Sequence, residues 1–571
     1  MTESLTTKPE KPWAKPLART GWAILIVATL YVCYFSHLGA IGFVGPDEPR
    51  YAWIARDMAE TGDWVTPRLY GKPWFEKPPL FYWGAALCFK LFGVSEAAAR
   101  LPSAISALLA TLALGWLAWR LYAAETGRWL LLLLPTTVGM IGFSHAAATD
   151  MLFSGMLTIA MVCAAVVLRL VSTGAGGARL APTDSSTPWA ALVLFGFFLG
   201  LAVLAKGPAG IILCGGAIFF WAIFTKRWRD AVRLFHPVAI GAFCLTALPW
   251  YILCARRNPD FFGIFIIEHN FKRYLTPEFQ HIQPFWYYAE VLMVAILPWT
   301  AAAVWAFVVG SAQIWRLKRP SSNTLFFLSW VLFCLIFFSI SKSKLPGYIL
   351  PSIPAIVVLM THSRFALASG RTKSLAISLF GLSFFCACCF ALVEYLTPHI
   401  SQANLKFGIA AGVILGVLSV ANLLLGAGVS FSAKGALGRG LAACCVLPIL
   451  LAVSNTDKLV PPFFLYDPSG KTLSRELQGR TIPTGELAVA RPFNRGLRYS
   501  LSFYLHQEVP EWDRQHPRGG YLLTRTRYSK SEVGSDFKFE KIAFDWEETG
   551  YFLYKVQPTS AAGGAGSGQL K

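Results

Sequence analysis

Residues 188–225 read PWAALVLFGFFLGLAVLAKGPAGIILCGGAIFFWAIFT. One charge, Lys206, interrupts the stretch, and Gly207-Pro208 follows it at once. A helix needs about 20 apolar residues to cross roughly 30 Å of hydrocarbon. The stretch therefore predicts two spans, at about 188–206 and 208–225, that turn at Lys206-Gly207-Pro208. Outward from it, comparable runs fall at about 20–38, 101–122, 128–148, 150–171, 235–256, 289–310, 324–341, 347–363, 374–394, 407–428 and 436–455. The reading is a polytopic α-helical membrane protein with about thirteen transmembrane helices.

Composition agrees. Of 571 residues 55% are hydrophobic and 14% charged, and the mean hydropathy is +0.50. Soluble domains carry about 25% charged residues. The net charge of +20 does not point to nucleic acid, because most Lys and Arg sit in short loops between spans, where they set topology. The 12 Cys show no disulfide framework and lie almost wholly in apolar runs. The first run is long for a signal-peptide core and no A-x-A site follows it, so it is read as span one with a cytoplasmic N-terminus. On that orientation each predicted inside loop is basic: Arg120 and Arg128; Arg169 and Arg179; Lys226, Arg227, Arg229 and Arg233; Arg316, Lys318 and Arg319; Arg364, Arg371 and Lys373; Lys434 and Arg439.

Three regions follow. Residues 1–456 form the transmembrane part, with a large first periplasmic loop at 39–100. Two stretches of that loop, near Tyr51–Glu60 and Leu80–Phe92, are too short or interrupted to span and should lie in the interface. Residues 457–557 turn hydrophilic and are expected to form a small periplasmic α/β domain. It should have a helix near Leu473 and Leu477 and strands at Leu487–Ala490, Ser500–Leu505, Tyr521–Thr524 and Tyr551–Val556. The tail 558–571, rich in Gly, Ala and Ser, is expected to be disordered.

Candidate chemistry gathers on the outside face. Arg50, Lys77, Lys206, Arg256, Arg257, Lys272, Arg273, Lys342 and Lys344 lie there, although short outside loops should be poor in Lys and Arg. Snorkelling at a helix end is the bland reading of any one of them and suits Lys206 best, but it explains the whole set poorly; a ligand with several phosphates accounts for the set. Asp47 lies in Gly45-Pro46-Asp47-Glu48-Pro49-Arg50-Tyr51, where two prolines pin the backbone. Its bland alternative is a helix cap. Asp150, in Thr149-Asp150-Met151, adjoins an apolar run, where acids are costly and usually functional; capping is again the alternative. The stretch Gly71-Lys72-Pro73-Trp74-Phe75-Glu76-Lys77-Pro78-Pro79-Leu80-Phe81-Tyr82-Trp83 joins an acid–base pair to rigid prolines and aromatics. Those aromatics suit the headgroup level, and their faces can also stack on sugars.

These pieces, with Arg100-Leu101-Pro102-Ser103, Ala205-Lys206-Gly207-Pro208, Glu268-His269-Asn270, Arg273-Tyr274 and Ser343-Lys344-Leu345-Pro346-Gly347-Tyr348, resemble the bacterial aminoarabinose transferases. That family belongs to the C-type, polyisoprenyl-phosphate-dependent glycosyltransferases and is related to protein O-mannosyltransferases. The resemblance spans about Gly45–Pro354 and is specific as a set. It implies an inverting transfer of 4-amino-4-deoxy-L-arabinose from undecaprenyl phosphate to lipid A phosphates at the periplasmic face of the bacterial inner membrane, giving resistance to polymyxin and other cationic peptides. The partners are the lipid-linked donor, lipid A and membrane lipids, with no nucleic acid. Asp47 is expected as the principal catalytic carboxylate and Asp150 as the second. Arg50, Tyr51, Glu76, Lys77, Tyr82, Lys206, His269, Arg273, Lys342, Lys344 and Tyr348 are expected to bind substrate or phosphate. No cofactor is certain; a divalent metal ion would use Glu76 and His269, which show no recognisable metal spacing. The nearest alternative keeps fold and donor and changes the acceptor to a protein hydroxyl or another glycan. A transporter is disfavoured, since the charges gather at one face rather than the midplane and no inverted repeat is visible.

Overall fold

A computed structural model describes residues 14–171, 188–272, 282–300, 320–368, 469–480, 482–491, 493–512, 520–525, 537–542 and 551–558, with isolated helical residues at 303–304, 306–307, 446, 449–450 and 453–454. Five described helices are long and apolar enough to cross a membrane: α4 (Glu96–Leu121), α7 (Thr149–Val167), α8 (Trp189–Lys206), α11 (Pro237–Arg257) and α13 (Ser322–Ile340). Helix α1 (Ala14–Tyr34) leads in, α9 (Ala209–Thr225) follows α8 after the turn at Gly207, and the short helices α10 (Trp228–Val232) and α12 (Tyr287–Ala295) precede α11 and α13. The expected spans at 374–394, 407–428 and 436–455 fall almost wholly outside the described residues, and so does the tail after 558. Helix α7 is the hub: 89% of its apolar window is buried, against 28% for α11.

The expected continuous span at 128–148 is broken. It divides into α5 (Ala124–Leu133) and α6 (Val138–Ser144), bent by 62°. Pro135 cannot donate to the helical ladder. Thr137 restarts the helix instead, its Oγ accepting from Met140 N at 3.4 Å. The expected span at 347–363 likewise begins as a 3-10 turn, Pro346–Ser352, before α14 (Ile353–Ala368).

In the first loop, α2 (Asp47–Thr61), a small hairpin of β1 (Arg68–Leu69) with β2 (Lys72–Pro73), and α3 (Leu80–Phe92) pack on one another and on α4. Both expected interfacial stretches are helical.

The C-terminal segment has α15 (Lys471–Gly479), β3 (Leu487–Val489), α16 (Arg495–Leu505), β4 (Gly520–Thr524), β5 (Phe537–Ile542) and β6 (Phe552–Pro558). The sheet runs β3-β4-β6-β5, with β3 parallel to β4 and the other pairs antiparallel. The expected strand Ser500–Leu505 is corrected to a helix. Leu497, Leu501 and Leu505 recur at helical spacing and are buried together with Leu473, Leu477 and Val489, and Asn494 caps the start by accepting from Leu497 N at 3.0 Å. Strand β5 was not among the expectations. Another side of α16 serves the rest of the protein: Tyr499 and Phe503 join the main core.

Candidate active site

The first turn of α2 carries two acids with different surroundings. The helix N-cap is Pro46 and no side chain caps it, so Asp47 is the first helical residue and not the cap. Its carboxylate pairs with Arg50 and its side chain is 47% exposed. Arg50 is buried; its Nε donates to Pro46 O at 2.8 Å and NH1 to Glu76 Oε2 at 3.0 Å. The guanidinium carbon lies 5.5 Å from the Trp74 ring centre and 5.3 Å from that of Tyr499. Burial alone would lower the Arg50 pKa, but Glu76, Tyr51 and Asp47 outweigh it and raise it. Arg50 is thus a fixed cation that aims two carboxylates. Lys77 Nζ stands 3.9 Å from Glu76 Oε1.

Behind this group Tyr51 and Tyr82 are buried, their ring centres 5.8 Å apart. Burial first, then the charge of Glu76, pushes both phenols up, so they remain protonated donors. The Tyr82 hydroxyl and the Trp74 indole N–H are buried with no protein partner among the described residues. A buried donor without an acceptor costs about 1–3 kcal/mol, and two of them around Arg50 mark the place where a ligand or water completes the bonding.

Glu48 turns inward. It receives Arg100 Nε at 3.0 Å and NH2 at 2.9 Å, Val44 N at 2.8 Å and Ala147 N at 2.7 Å. Arg100 also holds the carbonyls of Leu38, Ile41 and Gly42. Ser103, one turn along α4, donates to Ala146 O at 2.7 Å. Arg100-Leu101-Pro102-Ser103 therefore fastens the loop before Asp47 to the turn before Asp150.

Asp150 sits in the first turn of α7, whose N-cap is Ala148 without a side-chain bond; it too is not the cap. Lys206 Nζ donates to its Oδ1 at 2.5 Å and lies 4.5 Å from the Tyr348 ring centre. Gly347 closes on the carboxylate so tightly that a Cβ there would come within 2.5 Å of Oδ1. The turn Gly347-Tyr348 thus completes an Asp150–Lys206 pocket, and Lys206 pairs with an acid rather than only reaching for the interface.

The expected residues divide accordingly. Asp47, Arg50, Tyr51, Glu76, Lys77 and Tyr82 assemble in one group, and Asp150, Lys206 and Tyr348 in a second. Lys342 is exposed. Lys344 is buried and donates to Ser341 O at 2.7 Å and Gln283 O at 3.1 Å; burial and then Lys342 lower its pKa. Arg273 and the His269 side chain lie outside the described residues. Of the suggested metal pair, Glu76 faces Arg50 with one oxygen and Lys77 with the other. Among the described residues no three His, Cys, Asp or Glu side chains converge as metal ligands. Sequence reading missed Tyr499, since the stretch after it was read as a strand. It also quoted Arg100 without giving it a role; an arginine at the start of the apolar run 101–122 was the available signal.

The sequence model of the dolichyl-phosphate-mannose-protein mannosyltransferase family matches residues 22–265. The undecaprenyl phosphate-α-4-amino-4-deoxy-L-arabinose arabinosyl transferase of Serratia proteamaculans is 33% identical over 459 residues, covering 78% of this chain and 79% of that one. The enzyme of the same name from Yersinia pestis is 32% identical over 445 residues, 76% of each. The fold is similar to the crystal structure of ArnT from Cupriavidus metallidurans bound to undecaprenyl phosphate. The TM-score is 0.76 at 23% identity, over 95% of this chain and 99% of that one.

Proposed function

The chain belongs to the undecaprenyl phosphate-aminoarabinose arabinosyl transferase family, and from that premise we propose that it moves 4-amino-4-deoxy-L-arabinose from undecaprenyl phosphate to the phosphates of lipid A. The protein is a multi-pass membrane glycosyltransferase that uses a polyprenyl-phosphate donor. The observation that carries the acceptor and site reading is the half-exposed Asp47, aimed by buried Arg50 beside the unpartnered donors of Tyr82 and Trp74.

An acceptor phosphate oxygen attacks the anomeric carbon. The bond from that carbon to the carrier oxygen breaks, its electron pair leaves on the carrier phosphate, and the centre inverts. Cations stabilise the charge building on the leaving group, a task for Lys77 at the mouth of the Glu76 pair. Asp47 orients the acceptor or takes its last proton; since a phosphate's second pKa is about 6, a strong base is less needed than for a hydroxyl. Asp150, held by Lys206, faces the sugar amine. Arg50, whose three nitrogens meet protein acceptors, orients carboxylates rather than phosphates.

We place the N-terminus in the cytoplasm, and the site and C-terminal unit in the periplasm, on a fold of about thirteen spans. The unbroken series of basic inside loops supports this topology. The transmembrane part ends near 456 and the α/β unit near 557. Single-Cys labelling in whole cells, in a Cys-free background, checks it: an impermeant reagent that reacts at position 230 and not at 480 reverses the topology. Function is checked by mass spectrometry of lipid A from cells with and without the gene, alongside polymyxin survival. Unmodified lipid A in both strains defeats the acceptor assignment. The mannosyltransferase match favours a second acceptor, a protein hydroxyl, which would leave glycoprotein as the product in that same experiment.

A further inference from the structure

The helix α16 meets the body of the protein along a seam that the transfer step above does not use. Its Gly496 lies so close to Gly45 that a Cβ there would come within 2.9 Å of the Gly45 carbonyl carbon. Ser500 Oγ donates to Phe43 O at 3.0 Å, and Phe43 N donates to the Tyr504 hydroxyl at 2.9 Å. The Phe43 and Phe503 rings meet edge to face at 4.8 Å. Three consecutive turns of α16 are therefore pinned to residues 43–45, the segment that runs directly into Asp47.

This seam brings Tyr499 to the site and gathers charge around its ring. The guanidinium carbons of Arg50, Arg498 and Arg495 lie 5.3, 5.4 and 5.5 Å from the ring centre. Arg50 and Arg495 are thus no further apart than two such distances laid end to end. Two of the three are neutralised: Arg50 by Asp47 and Glu76, and Arg498 by Glu511 at 2.5 Å. Arg495 is exposed and has no carboxylate partner among the described residues. Its Nε reaches the Tyr499 hydroxyl at 3.4 Å, which lays the side chain along the ring. The i, i+4 spacing puts both residues on one helix face.

An arginine on a solvated helix usually samples many rotamers. One rested against a buried ring loses less entropy when it binds. A guanidinium stays charged and meets phosphate with a matching fork of donors.

We infer that Arg495 anchors the acceptor: its guanidinium binds the phosphate monoester that receives the sugar, with Tyr499 as its platform. This rests on the phosphate-acceptor reading above. Two acceptor oxygens face Arg495 while the third approaches the anomeric carbon beside Asp47. The C-terminal unit then takes part in the active site and selects phosphorylated acceptors.

The test uses the full-length protein in detergent with undecaprenyl-phosphate aminoarabinose as donor and bisphosphorylated lipid A as acceptor. Arg495→Ala should raise KM for lipid A at least tenfold, with kcat within threefold of wild type and KM for the donor unchanged. Arg495→Lys should recover part of the loss, because charge remains but the fork does not. Arg491→Ala removes a neighbouring exposed arginine already paired with Glu511 and should leave all three constants as they are. A wild-type acceptor KM in Arg495→Ala, or an equal rise in Arg491→Ala, overturns the assignment while leaving the transferase reading intact. Wild-type transfer to dephosphorylated lipid A and none to the bisphosphate overturns the phosphate-acceptor reading, and this inference with it.

Discussion

Glu48 and Asp47 are adjacent carboxylates, each paired with a buried arginine, that differ in how far protein surrounds them. The Glu48 side chain is 11% exposed and accepts from Nε and NH2 of Arg100 and from two backbone amides. Asp47 is 47% exposed and, among the described residues, pairs with Arg50 alone. A carboxylate with every lone pair filled by protein holds structure together. One fixed from behind and open in front can serve a substrate. One residue's rotation about a helix axis separates the two roles, which explains why a motif search treats Asp-Glu as a unit while the fold does not.

The largest effect that would break this contrast belongs to Glu48. Glu48→Ala leaves Arg100 buried without its acid, which costs about 3–5 kcal/mol. The expected result is a sharp fall in monodisperse protein from detergent extracts and a lower thermal midpoint. An alanine variant as stable as wild type would mean the clamp is dispensable.

Asp47→Asn should behave in the opposite way, with normal insertion and stability but transfer down at least a hundredfold, about 2.7 kcal/mol. Asn keeps the shape, and Asp47 is not the residue that caps α2, so capping cannot account for a loss. Near-normal turnover at wild-type protein level would transfer the role to Asp150 or Glu76.

Lys77 sharpens the picture on the cation side with a smaller effect. Lys77→Ala should lower kcat/KM at least tenfold, about 1.4 kcal/mol. Arg at this position should restore part of that if charge suffices, and little if a compact ammonium is needed. Wild-type turnover of the alanine variant would make Lys77 an ordinary interfacial lysine.

Much of this site was legible beforehand because its parts are local. Pro46 and Pro49 flank Asp47, and Pro78 and Pro79 follow Lys77, so rigidity and charge appear together in short words of sequence. Asp150 and Lys206 stood out because each interrupts or borders an apolar run. Their pairing did not, since 56 positions separate them and either could have reached water instead. The reading of Ser500–Leu505 failed for a definite reason. Ser-Phe-Tyr-Leu alternates well enough for a strand over a few residues, and the leucine spacing that decides for a helix begins earlier, at Leu497.

The sequence by itself determined the bilayer-spanning character, the runs that make the long helices, and the family to which the outer-loop motifs belong. Apolar length and proline-pinned charge are properties of contiguous residues, and no partner is needed to read them. Only the tertiary structure decided which of two neighbouring acids faces outward and that Tyr499 closes over Arg50. Those outcomes depend on bonds between residues tens to hundreds of positions apart, such as Arg100 with Glu48 or Tyr504 with Glu96. Such pairs leave no periodicity in the chain, because their distance is set by packing.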